Sequence, residues 1–226
     1  MTITEFSAEW CLSTFRQIAG LPDEAPDPSE TVMYDLVTNG CRRIQRLLAQ
    51  HVPDAVKIAP EELTTLNDGV TYTFAYYPMG RAEVREGRTG RVLVPGPDWD
   101  NSSSTYVMEG QTIRWPNNQA RTFPTGLWAR YTPEHPVVDE NTAPILTRIA
   151  LRAAIWDAVA EWAAQGDAVD PTRYELGRAR EMWGDKNMPG DEGVIGALKR
   201  QFYAQGAPAG GDAYWWRNSD WVQGPQ

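Results

Sequence analysis

The sequence predicts an α+β protein, mostly α: a helical bundle with an inserted small antiparallel β-subdomain and an extended C-terminal tail. Three observations predict it. Apolar residues recur at three- and four-residue spacing before residue 52 and again after residue 137. Between them, from 53 to 136, that spacing vanishes, and prolines, glycines and short alternating runs replace it. After Gln205 come GAPAGG and then four large rings within Tyr214–Trp221. The expected organisation is therefore N-terminal bundle helices in 1–52, a β-insertion in 53–136, C-terminal bundle helices in 137–205 and an aromatic tail in 206–226.

The first helix is expected over Thr4–Ala19, with Phe6, Trp10, Phe15 and Ile18 on one broad side and Gly20-Leu21-Pro22 as its stop. The acidic, proline-rich stretch Pro22–Pro28 reads as a linker. A second helix runs from a Ser29 cap to Gln50, with Val32, Leu36, Val37, Gly40, Ile44, Leu47 and Leu48 as its stripe. Arg42, Arg43 and Arg46 gather toward its C-terminal half, where cations complement the helix dipole. Contacts to an acidic neighbouring subunit are the alternative role for them.

In the insertion, Val70–Tyr76 alternates and is rich in β-formers, and Arg91–Val94 is a short run stopped by Pro95-Gly96-Pro97. Asn101–Thr105 is a loop. Tyr106–Trp115 reads as a β-hairpin turning at Glu109-Gly110-Gln111, and Leu127–Tyr131 as one more strand.

The long helix Ile145–Ala164 is the element around which the rest is organised. Leu146, Ile149, Ala153, Trp156, Val159 or Ala160, and Ala163 form its stripe, and Arg148, Arg152, Asp157 and Glu161 fall between them. Asn141-Thr142 and Pro144 supply its start signals, and Gln165-Gly166-Asp167 its end. Its alanines leave room for a close neighbour, either another helix of the chain or another copy. Two shorter helices follow. One spans Pro171–Trp183, capped by Asp170, with Tyr174, Ala179, Met182 and Trp183 as its apolar contacts. The other spans Asp191–Gln205, with Val194 or Ile195, Leu198 and Phe202 on one side.

Composition narrows the function. A net charge of −9 over 226 residues argues against general affinity for nucleic acid or anionic membrane. No apolar run approaches the roughly 18 residues of a membrane span, and the N-terminus lacks the pattern of a secretory signal. Cys11 and Cys41 read as buried free thiols rather than a disulfide or a metal site. Ten tryptophans point to extensive contacts within or between chains.

Candidate chemistry is sparse. His51 and His135 have no carboxylate or cysteine at ligand spacing. Serines 102 to 104 lack the glycine-flanked elbow of a hydrolase. Gly87-Arg88-Thr89-Gly90 is too short for a phosphate loop and lacks its lysine. Asp139-Glu140, and Asp98 with Asp100, are paired carboxylates in loops, where solvation or capping is the ordinary role. A carbohydrate-binding or glycoside-cleaving protein using Trp99, Trp115 and Trp128 as sugar platforms is the alternative function. The C-terminal rings Tyr214, Trp215, Trp216 and Trp221 are too few to bury one another. They are expected to pack on their own domain, to stay disordered or to dock on another chain.

The order of these elements resembles the head-to-tail adaptor (connector) proteins of tailed bacteriophages. The resemblance rests on the arginine-rich helix end NGCRRIQRLLAQ, the hairpin YVMEGQTIRWP, the strand exit ARYTPEHP and the long alanine-rich helix, and it covers residues 29 to 205. It implies a structural virion protein without catalytic residues, cofactor or metal. Such proteins form a homo-oligomeric ring, commonly of twelve copies, between the portal protein and the tail or nozzle proteins. The ring sits at the virion neck, is assembled in the bacterial cytoplasm, and genomic DNA passes through its channel without specific binding. On this resemblance Tyr214, Trp215, Trp216 and Trp221 are expected to dock on the portal or a neighbouring subunit. Arg148, Arg152, Asp157 and Glu161 are expected to form a helix face between subunits.

Overall fold

The computed structural model describes residues 7–23, 25–66, 71–98, 104–118, 121, 123–166, 170–185, 187–188 and 190–203. They form two compact units. One contains the described residues through Val56 and from His135 onward; the other is Lys57–Glu134.

The first unit is helical: α1 (Ala8–Ala19), α2 (Glu30–His51), α3 (Arg148–Gln165), α4 (Pro171–Trp183) and α5 (Gly193–Tyr203), with a 3-10 turn at Pro53–Val56 after α2. Local chemistry sets most of the ends. The Ser7 and Ser29 hydroxyls accept from the N–H groups of Trp10 (3.1 Å) and Val32 (3.4 Å), and Asp170 accepts from Thr172 N–H (2.9 Å) with Pro171 in the first turn. Gly20 closes α1 in the left-handed conformation, φ 73°.

Helix α3 packs against α1, α2, α4 and α5. Leu151, Ala153, Ala154, Ile155, Ala158, Val159 and Ala160 are all fully buried, so the helix is covered nearly all round rather than along one stripe. Its alanines admit α2: at Gly40 a Cβ would overlap the carbonyl oxygen of Ala154. Gly177 of α4 likewise lies against the Trp156 ring. Trp162 then stands edge-on to Phe15 of α1 and Tyr174 of α4, at 6.1 and 6.4 Å between ring centroids. The Tyr174 hydroxyl donates to Ala19 O across 3.0 Å.

The expected start of α3 is corrected. Asn141, Thr142 and Pro144 lie before the helix, which begins at Arg148 with Thr147 as the N-cap residue. The preceding segment has other hydrogen bonds: Asp139 and Thr142 form an isolated antiparallel bridge, and Ile145 N–H is held by the His135 ring.

The second unit overturns the expectation of a helical bundle with a small antiparallel β-subdomain. Its eight strands are β1 (Glu61–Glu62), β2 (Thr64–Thr65), β3 (Tyr72–Thr73), β4 (Glu83–Glu86), β5 (Val92–Pro95), β6 (Thr105–Glu109), β7 (Thr112–Arg114) and β8 (Leu127–Arg130). They make one mixed, nearly closed, barrel-like sheet in the order β1-β8-β4-β5-β6-β7-β3-β2. Strands β1 and β2 stand at opposite ends of that order, yet only Leu63 separates them. The stretch Glu61–Thr65 therefore borders both edges of the sheet and brings it round on itself, which removes most of the exposed edge. One pair is parallel, β5 with β6, matching Val94 to Thr105 and Pro95 to Tyr106.

The barrel has its own core, including Leu63, Tyr72, Phe74, Val84, Leu93, Tyr106, Ile113, Trp115, Leu127, Ala129 and Tyr131. The buried hydroxyls are satisfied. Tyr106 donates to Ala82 O (2.9 Å), and Tyr131 donates to Glu61 Oε1 (2.8 Å) while accepting from Tyr76 N–H (3.0 Å). The hairpin β6–β7 turns at Gly110, φ 59°, with Glu109 opposite Thr112. A positive φ at the first central residue is where a type II′ turn requires glycine. Gly87-Arg88-Thr89-Gly90 is the turn between β4 and β5, with Glu86 N–H bonded to Arg91 O (3.0 Å).

Candidate functional site

The α3 residues expected between subunits do not share one outward face. Asp157 is buried, 5 % exposed. Its carboxylate accepts from Arg43 Nε of α2 (2.5 Å) and Arg178 Nη1 of α4 (3.2 Å). Glu161 is paired with the same Arg43, and Arg152 meets Glu181 of α4 at 3.1 Å. Arg148 is exposed at the first position of the helix. Asp157 therefore joins three helices of one chain, and the expectation that it faces a neighbouring copy is corrected. The physical reason is that α3 is enclosed, so a polar residue between its apolar positions meets another helix instead of water.

The same contacts decide the arginine-rich end of α2. Arg43 serves α3, and Arg42 Nε donates to His135 O (3.3 Å). His135 itself is fully buried. Its Nδ1 lies 2.8 Å from Pro136 O, and its Nε2 accepts from Ile145 N–H at 3.2 Å. One ring nitrogen donates and the other accepts, which is the pattern of neutral imidazole. Burial pushes its pKa below the ordinary value. The ring thus acts as a backbone clasp ahead of α3.

The other groups weighed for chemistry have structural duties. Cys11 and Cys41 are free and buried, and burial raises both thiol pKa values. Asp139 accepts from Asn141 N–H (2.8 Å), and backbone bonds in that turn hold its pKa down. Asp98 accepts from Arg114 (2.7 Å) and Asn117 N–H (3.0 Å), and the Arg114 bond lowers its pKa. Among the described residues no group of three or more His, Cys, Asp and Glu is placed to hold a metal ion, and no helix is long and apolar enough to cross a membrane.

Two of the three sugar-platform residues lie among the described residues. Trp115 is fully buried in the barrel core, and Trp128 is covered by the Arg88 guanidinium 5.2 Å from its ring centre. Trp99, Asp100, Ser102 and Ser103 lie outside the described residues, as do the docking candidates Tyr214, Trp215, Trp216 and Trp221.

The surface that stands out includes two residues, Ala179 and Trp183, expected to make apolar contacts on α4. Of the four apolar contacts expected on α4, Tyr174 and Met182 are buried, while Trp183 is 53 % exposed and Ala179 is exposed. At 100° per residue, Leu176, Ala179 and Trp183 lie on the side opposite Tyr174, Gly177 and Met182. Leu176 is 67 % exposed, and Met188, which follows the helix, is 55 % exposed. Beside them runs an open groove of about 780 Å³ with Arg180, Gly184, Asp185 and Asn187 along it. The two apolar stripes on α4 were present in the sequence. Their spacing alone did not say which of them α3 covers.

Comparison with protein-family models and with curated proteins finds no match to this chain.

Proposed function

We propose that the chain is a structural virion protein, an adaptor subunit that joins a bacteriophage portal to the tail and forms a homo-oligomeric ring continuing the DNA channel. The observation that carries this reading is a pair of apolar docking elements on a chain whose polar clusters serve its own structure. One is the uncovered Leu176–Ala179–Trp183 face of α4. The other is the four-ring stretch Tyr214–Trp221. An exposed apolar face such as that of α4 is the usual mark of a partner surface, and tryptophan and tyrosine, in which the C-terminal sequence is rich, are favoured anchors. The resemblance in the order of elements from residue 29 to 205 supports the same reading. So does the net charge of −9, because an acidic channel wall does not neutralise phosphates.

In this reading the partners are the portal protein, other copies of the chain and the tail or nozzle proteins, and the chain works without a cofactor. Tyr214, Trp215, Trp216 and Trp221 are the anchors on the portal or a neighbouring copy. Ring assembly does not use Asp157 as a contact between copies.

The test is to mix purified chain with the cognate portal and to image the product by negative stain. Full-length chain is expected to add a ring of density below the portal. A chain ended after Gly206 is expected to keep its circular dichroism and melting transition and to lose attachment. Failure of the full-length chain to bind the portal would sink the adaptor reading. Unchanged attachment of the shortened chain would remove the anchoring role of the rings.

A further inference from the structure

The described methionines differ sharply in their surroundings. Met33 and Met182 are buried in the helical core, and Met79 and Met108 are half-buried. Met188, in the turn between α4 and α5, is exposed. Its N–H donates to Asp185 O (2.9 Å) and its carbonyl accepts from Asp191 N–H (3.1 Å), so its backbone is tied on both sides. The sulfur is held as well. Arg180 Nη2 of α4 donates to Met188 Sδ across 3.4 Å.

That guanidinium has other partners. It lies 3.3 Å from Asp185 and 3.9 Å from Asp191, and it borders the groove beside Leu176, Ala179 and Trp183. Single exposed apolar residues are ordinary, so exposure alone assigns Met188 no role. The cation on its sulfur sets it apart. One arginine connects an accessible thioether, an acidic turn and the uncovered face of α4.

We propose that Met188 is an oxidation site, whose sulfoxide takes the Arg180 guanidinium and makes this end of the α4 face polar. Hydrogen peroxide is the oxidant that balances the step. The Sδ lone pair attacks one peroxide oxygen, and the O–O bond breaks as the S–O bond forms. A proton moves within the peroxide, so the second oxygen leaves as water. Sulfur loses the two electrons that the peroxide gains. The Arg180 N–H groups beside the sulfur are donors for the negative charge that develops on the departing oxygen. A thioether is a weak acceptor, whereas the sulfoxide oxygen is polar and accepts well. Arg180 is therefore drawn from Asp185 and Asp191 toward the new oxygen. The change is reversible, because sulfoxide reductases restore the thioether. It goes beyond the adaptor reading and does not depend on it, since the chemistry concerns the isolated chain.

Peroxide treatment of the full-length folded chain, followed by peptide mass spectrometry over time, tests the site. Sulfoxide is expected at Met188 roughly tenfold or more faster than at Met33 and Met182, and ahead of Met79 and Met108. A rate at Met188 no greater than at the two buried methionines would overturn the proposal. The consequence is read with an anilinonaphthalene sulfonate dye, which reports exposed apolar surface. Met188→Leu keeps the bulk and cannot be oxidised. Dye fluorescence is expected to fall on oxidation of the parent and to hold steady in Met188→Leu. An equal fall in both proteins would place the change at another methionine, and no fall in either would show that the face stays apolar. Either result would overturn the proposed effect on α4. Rapid Met188 oxidation in a chain that binds no portal would leave this inference standing and remove the adaptor reading.

Discussion

Gly40 of α2 lies directly against the carbonyl oxygen of Ala154 in α3, at a separation that leaves no room for a side chain. The two helices are thereby in backbone contact, and the alanines of α3 are explained within the chain. Gly40→Ala is expected to destabilise the protein by about 1–3 kcal/mol through overpacking, despite a gain of up to ~1 kcal/mol in helix propensity. Urea unfolding of the variant measures it. Stability equal to or above that of the parent would mean that the helices separate at little cost.

Asp157 is the polar joint of the helical unit, taking Arg43 from α2 and Arg178 from α4. Asp157→Asn keeps the shape and removes the charge. Because both arginines are well over a third exposed, the loss is discounted to about 1–3 kcal/mol. Arg152→Ala removes the more exposed pair with Glu181 and is expected to cost under ~1 kcal/mol. Thermal melts of the two variants should rank in that order. The reverse order would show that Asp157 is not the joint.

His135 predicts a pH dependence. Its burial lowers its folded pKa below the ordinary 6.5, and a proton on Nε2 would face the Ile145 N–H donor. As the pH falls, the unfolded chain takes up the proton first. The contribution is therefore full above about 6.5 and is lost as the pH falls through the folded value. Unfolding free energies measured from pH 8 to pH 5 should decline, and His135→Asn should be less stable at pH 8 but lack that part of the decline. An unchanged slope in the variant would assign the pH dependence elsewhere.

In the barrel, Tyr131 ties three segments together through Glu61 and the Tyr76 N–H. Tyr131→Phe is expected to cost about 1–3 kcal/mol, since it leaves both partners short of a bond. In a double-mutant cycle Tyr131→Phe and Glu61→Gln should be non-additive, because they remove the same interaction. Additive losses in denaturant unfolding would count against the coupling.

Legibility from the sequence followed the range of the interaction. Ser29 and Asp170 were readable as caps because their bonds reach only two or three residues along the chain. The hairpin at Glu109-Gly110-Gln111 was readable because glycine marks its turn. The start of α3 was misread at Asn141–Pro144, where Asp139, Thr142 and the distant His135 ring take the hydrogen bonds a helix would have used. The barrel was missed because several of its strands are two residues long, too short for alternation to register. What closes it is the pairing of Glu61–Thr65 with both β8 and β3.

The sequence by itself determined the presence of the five helices of the described chain, the Ser29 and Asp170 caps, the Gly20 stop of α1, the hairpin turn and the buried state of the two cysteines. Each depends on neighbours within about a turn of helix or on strong apolar preference. Tertiary structure alone decided that α3 is enclosed on nearly all sides, that Asp157 points into the bundle, that Trp115 is core, and that the second stripe of α4 is left outside. An apolar position says only that a side chain avoids water. Which surface covers it is set by how distant elements pack.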